Sequence, residues 1–376
     1  MKLLNKEKLE HNIEKIATYD FENHKVFGSS YFVWQNGDLA YKKHFGNVGL
    51  EDSEKVNDKT IYRLASMTKP ITAVAILILI DRGLVSLNDP VSKYLPEFAD
   101  IHIITPDGVD LGKTKTEVTI LHCLTHTSGF GSGKVVEMTD KDRETIYETI
   151  KCFYNAGLTF EPFTSHVYSA FAAFDVLATI IEKVTNQDYA EFLKNEIFIP
   201  CNMPDTTFSP SQDQWKRIIE MHNRVDDKNC IGETFPECVF ESFPCGHNLA
   251  GAGLVSTLDD YANFAKMLLN KGTIFGKQIV SPETMSKMPS LYLPKEFTIA
   301  EDSSTWGLGV RVVINKDYKD LPVGSFGWSG AYGSHFWIDP ENDICAVFMK
   351  NSRIDGGSFN QSARHFEKAV ADALTE

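Results

Sequence analysis

The spacing of apolar residues switches between a strand period and a helix period along the chain. In "SYFVWQNGDLAYKKHFG", Ser30 to Gly46, two runs rich in aromatic and β-branched residues flank Asn36-Gly37. Both turn residues tolerate positive φ, so the stretch predicts a β-hairpin. The middle of the chain carries helical patterns over Ile71–Arg82, Ile120–His126, Arg143–Ala156, Ala172–Val184, Tyr189–Ile197 and Leu258–Leu269, the last with Thr257 as N-cap. Near the end, "WGLGVRVVI", "GSFGWSGAY", "GSHFWID" and "ICAVFMK" are short runs punctuated by glycine or by Asp339–Asp343, and they predict an antiparallel meander. A helix over Ser362–Leu374 closes the chain.

If the first hairpin and the last strands share one sheet, the helical middle is an insertion. This predicts an α+β molecule of two interwoven lobes: a discontinuous one from residues 1–90 and 255–376 holding the antiparallel sheet, and a mostly helical one from 91–254. Ligands favour such a seam. With 376 residues, 43% of them apolar, the chain can bury both cores. It contains no internal repeat, low-complexity segment or linker.

Charge narrows the partners. Lys plus Arg against Asp plus Glu gives 37 − 51 = −14 with no long basic run, which argues against nucleic acid and against an anionic membrane surface. The first twenty residues carry Lys, Glu and His where a secretory signal needs an apolar core. The longest apolar run, Ile71–Ile80, is half of what a bilayer requires. Seven irregularly spaced cysteines fit reduced thiols, so a cytoplasmic location is expected. Cys230, Cys238, Cys245 and His247 lack the short C-x-x-C step of zinc modules, and no metal is expected there.

Candidate chemistry begins at "RLASMTKPITAVAILILIDRG", Arg63 to Gly83, where Ser66 and Lys69 stand three apart at the mouth of an apolar helix. Residues so spaced share a helix face, and a serine becomes a nucleophile only with a base within hydrogen-bond reach. Desolvation by the apolar helix could depress the lysine and let it act as that base. A serine in a first helical turn also keeps its N–H available for an oxyanion. Taken alone, the pair is a weak pattern that more readily fits a capping serine and a solvated lysine. Tyr168 in "HVYSAF" could relay the serine proton. Trp328-Ser329-Gly330 in "FGWSGAYGSHFWIDP" could form a strand edge where Gly330 allows close approach and the Ala331 N–H faces a cleft.

Together and in this order, these stretches resemble the serine beta-lactamase and penicillin-binding-protein superfamily, nearest its class C-related esterases, over Tyr31 to Met349. The resemblance implies a beta-lactamase/transpeptidase-like fold, an antiparallel sheet flanked by helices in three αβα layers plus an inserted, mostly helical lobe. It also implies that Ser66 is acylated, that Lys69 and Tyr168 move the proton, and that the N–H groups of Ser66 and Ala331 hold the oxyanion. Trp328, Ser329, Gly330 and Ala170 would contact the substrate. His122, His126 and His247 receive no catalytic role from it.

Two positions depart from the pattern. The second motif usually ends in Asn and here ends in Ala170; the third usually begins with Lys or His and here begins with Trp328. An aromatic entrance suits an uncharged ester, and the resembling esterases carry tryptophan there. The expectation is a cofactor-free serine hydrolase acting on small acyl esters. The alternatives are a beta-lactamase, a D-amino-acid peptidase or acyltransferase of the same fold, and a non-catalytic acyl-ligand sensor or scaffold.

Overall fold

The computed structural model describes residues 1–50, 54–131, 144–226, 230–234, 246–299, 304–358 and 360–375. Its centre is a seven-stranded antiparallel sheet built from the two ends of the chain: β1 (Gly28–Gln35), β2 (Asp38–Gly46), β3 (Ser304–Trp306), β4 (Arg311–Val313), β5 (Phe326–Ser329), β6 (His335–Asp339) and β7 (Ile344–Met349), in the order β3-β4-β5-β6-β7-β1-β2. The expected hairpin is β1 and β2, and Asn36 at φ 52 and Gly37 at φ 78 make its turn. The expected run from Trp306 to Ile314 is instead broken between β3 and β4. Gly309 turns at φ 70, and a Cβ there would lie 2.8 Å from the Ala73 methyl, so the chain bends where it meets a helix.

Along β7 the two-residue period sorts the core. Ile344, Ala346 and Phe348 face one side, while Cys345, Val347 and Met349 face the other. The first side is covered by α1 (Lys6–Glu22) and the C-terminal helix Gln361–Ala373. Sequence reasoning assigned no element to α1, although Asn5 caps it and Leu9, Ile13, Ile16 and Ala17 form a helical stripe against Phe366, Ala369 and Val370. That stripe was the available signal.

On the second side the helix Leu258–Leu269 packs directly on the sheet, and α2 (Thr68–Asp81), α3 (Ile120–Leu124), α4 (Ile146–Ala156), α5 (Ala172–Thr185) and α6 (Tyr189–Leu193) extend the same continuous apolar core, with Leu258–Leu269 as α7. The C-terminal helix is α8. Thr257 caps α7 as expected, accepting the Asp260 N–H at 3.2 Å. The expected helix from Tyr189 to Ile197 is α6 followed by a wider π turn over Lys194–Phe198. Arg143, expected to open α4, lies outside the described residues. α2 is buried around its whole circumference from Thr68 to Leu79. No helix among the described residues is long and apolar enough to cross a membrane.

Candidate active site

Ser66 lies in a 3-10 turn, Ala65–Met67, that runs directly into α2. Ala65 is held at φ 45, a conformation that costs a non-glycine residue about 1–3 kcal/mol and persists only where neighbours over-determine it. They do so here. Leu64 donates its N–H to the Leu254 carbonyl at 2.9 Å, the Leu254 N–H reaches Thr68 Oγ1 at 3.2 Å, and Tyr261 donates to the Met67 carbonyl at 2.9 Å.

Lys69 is fully buried, so the solvated-lysine reading fails. Its Nζ lies 3.4 Å from Ser66 Oγ and donates to the Ala170 carbonyl at 2.7 Å and the Gly251 carbonyl at 2.9 Å. Where the resembling motif carries Asn, the lysine is thus met by the main-chain oxygen of Ala170. Gly251 was missed: "LAGAGL" reads as structural, yet a Cβ on Gly251 would come within 2.6 Å of the Ala170 oxygen and 3.1 Å of Nζ. The glycine is required because two backbones and a lysine head converge there.

Tyr168 stands beside the lysine, with Nζ 4.9 Å from its ring centre. Trp328 at the end of β5 donates its indole N–H to the Tyr168 hydroxyl at 3.2 Å. Trp306 packs 4.4 Å from Trp328 and 5.7 Å from Tyr168 between ring centres. His126, at φ 58, closes the wall 4.5 Å from Tyr168. Burial first, then Lys69 and His166, push its pKa well below the usual range, and its Nδ1 accepts the Ser169 N–H at 3.1 Å. It is therefore a neutral packing group against the phenol. His122 instead closes the cap of α3 with Thr119, and His247 lies 3.4 Å from Asp175.

Gly330 brings the third stretch to the first. A Cβ on it would fall 2.4 Å from the Leu64 carbonyl, so the chain just beyond β5 rests on the residue two before Ser66. Ser329 points the other way: its hydroxyl is 2.8 Å from His335 Nδ1 on the opposite face of the sheet. Of the cysteine and histidine group, Cys238 and Cys245 lie outside the described residues. Among the described residues no cluster of three His, Cys, Asp or Glu side chains is placed to hold a metal.

The family model named Beta-lactamase matches residues 9–369. The chain belongs to the beta-lactamase family. This is a family of serine hydrolases, and the fold anticipated from the sequence is the fold observed. Among similar proteins is esterase EstB of Burkholderia gladioli, 26% identical over 369 residues that span 89% of this chain and 88% of that one. The solved structure of EstCE1, described as a hydrolase with promiscuous acyltransferase activity, superposes with a TM-score of 0.78 at 20% identity and covers 98% of both chains. A penicillin-binding protein homologue from Pyrococcus abyssi gives a TM-score of 0.73 at 24% identity over 92% of this chain and 74% of that one.

Proposed function

We propose that this beta-lactamase family member is a carboxylesterase working through an acyl-enzyme on Ser66. The observation that carries the reading is the setting of Lys69. The carbonyls of Ala170 and Gly251 fix its amine within reach of the Ser66 hydroxyl, where a lone pair on Nζ would receive the serine proton. Ser66 Oγ adds to the ester carbonyl as its proton passes to Lys69. The N–H groups of Ser66 and Ala331 stabilise the tetrahedral oxyanion, and Tyr168 delivers a proton to the departing alkoxide. Water then adds to the acyl-serine as its proton passes to Tyr168, and the acid leaves as Ser66 regains its proton from Lys69.

Ester preference follows from what faces the phenol. The donor from the third stretch is the neutral indole of Trp328, and Ala170 offers a backbone carbonyl instead of a side-chain amide, so neither position supplies a cation or an amide for a charged lactam or peptide. Acyl transfer from the same acyl-enzyme is the second reading, an activity described for EstCE1, which shares the fold. Cys123, Cys201, Cys230 and Cys345 carry free thiols, which supports a reducing, cytoplasmic setting. A panel of p-nitrophenyl esters of increasing acyl length, a chromogenic cephalosporin and a D-alanyl peptide tests the reading, together with mass-spectrometric mapping of a fluorophosphonate label. The expected result is ester turnover with the label on Ser66. Rapid cephalosporin turnover with negligible ester cleavage, or a label elsewhere, overturns it.

A further inference from the structure

β5 outruns its neighbour where the site needs it most. β4 pairs only Val312 with Phe326 and Arg311 with Gly327, so among the described residues Trp328, Ser329 and the Gly330-Ala331 step beyond them have no strand on that side. β6 supports the other side, pairing Phe336 with Trp328 and His335 with Ser329. Strand alternation sends Trp328 into the cleft and the Ser329 and His335 side chains to the face under α8.

On that hidden face lies a closed polar chain. His335 Nδ1 is 2.8 Å from Ser329 Oγ and its Nε2 is 2.9 Å from Glu367 Oε1. Arg311 Nη2 donates to the same oxygen at 3.0 Å, and the Tyr318 hydroxyl donates to Oε2. The Arg311 guanidinium also stacks 5.1 Å from the centre of the Tyr318 ring. Glu367 is 2% exposed. Burial opposes its charge, yet Arg311 and the hydrogen bonds from His335 and Tyr318 outweigh it and hold the carboxyl at about 2. A buried ion group of this kind adds little net stability over apolar packing, but it fixes geometry, because each member has one satisfied arrangement.

We infer that His335 and Glu367 are positioning residues for the oxyanion segment: with Arg311 and Tyr318 they grip the Ser329 hydroxyl from behind and fix the backbone of Trp328 to Ala331 on its unpaired edge. The inference rests on the acyl-enzyme reading of the site. A misplacement of about 1 Å at such a segment costs on the order of a hundredfold in rate.

The test compares wild type with His335→Phe and Glu367→Gln, measuring kcat and KM for p-nitrophenyl butyrate, Ki for phenylboronic acid and the melting temperature. Phenylboronic acid is a tetrahedral mimic that needs the oxyanion site. Both variants are expected to lose roughly 10- to 100-fold in kcat and to bind the boronate correspondingly more weakly, with KM within about twofold of wild type. Glu367→Gln keeps the volume and carries the test if His335→Phe does not fold. Folded variants that melt earlier but keep wild-type kcat and boronate affinity overturn the inference alone, because the network would then be only structural. A wild type that neither turns over the ester nor labels on Ser66 overturns the acyl-enzyme reading and this inference with it.

Discussion

Trp328 donates its indole N–H to the hydroxyl of Tyr168 across 3.2 Å. At the position that the resembling motif fills with lysine or histidine, the phenol thus meets a neutral hydrogen-bond donor. A phenolate forming during proton transfer would still be met by an N–H.

Trp328→Phe keeps the ring and deletes the donor. If the phenol carries the proton as proposed, a lost hydrogen bond of about 1–1.5 kcal/mol to it should cost roughly tenfold in kcat. Trp328→Lys should instead raise the ratio of kcat/KM for carboxylate-bearing lactams over neutral esters by about one to two decades, since charge-assisted bonds contribute about 1.5–3 kcal/mol. Parallel loss on both substrates, with a lower melting temperature, would mean that Trp328 only packs.

Lys69→Met and Tyr168→Phe each remove one proposed proton-transfer group while keeping bulk. Each should lower turnover by roughly a hundredfold or more. Near-normal ester kinetics in Tyr168→Phe, checked beside thermal melting, would remove the phenol from the mechanism.

Gly251→Ala tests the carbonyl cradle without touching a reactive side chain. The added methyl would press on the Ala170 oxygen at 2.6 Å and on Lys69 Nζ at 3.1 Å. Turnover should fall by at least about tenfold, because displaced catalytic groups lose rate steeply. Full activity would show that the lysine does not depend on this contact.

Stability should fall as the solution is acidified from pH 6.5 to 4. Burial lowers His122, His166 and His222 from 6.5 to about 4, so in that window the unfolded chain binds protons that the folded one refuses. Melting curves across the range check this. A melting temperature that stays flat down to pH 4 would contradict the buried, neutral state of these rings.

Local pattern alone determined much of this protein. Asn36-Gly37 makes the hairpin because both residues accept positive φ, Thr257 caps α7 because its hydroxyl accepts an N–H three residues on, and Ser66 and Lys69 come together because three positions are nearly one helical turn. The Ser66, Tyr168 and Trp328 stretches, recognised in order, also pointed to the family. Tertiary structure alone decided how the lysine is held. Its two carbonyl partners sit 101 and 182 residues away, and every residue carries a carbonyl, so no side-chain letter marks the two that matter. The same holds for Ser329, which shares a motif with Trp328 but faces the other side of the sheet, and for Glu367, whose partners come from β4, β6 and the Tyr318 loop. Sequence specifies which groups exist and their local spacing. Which polar groups share a desolvated space is set by long-range packing, and that packing determines whether a buried lysine or glutamate finds the partners its burial demands.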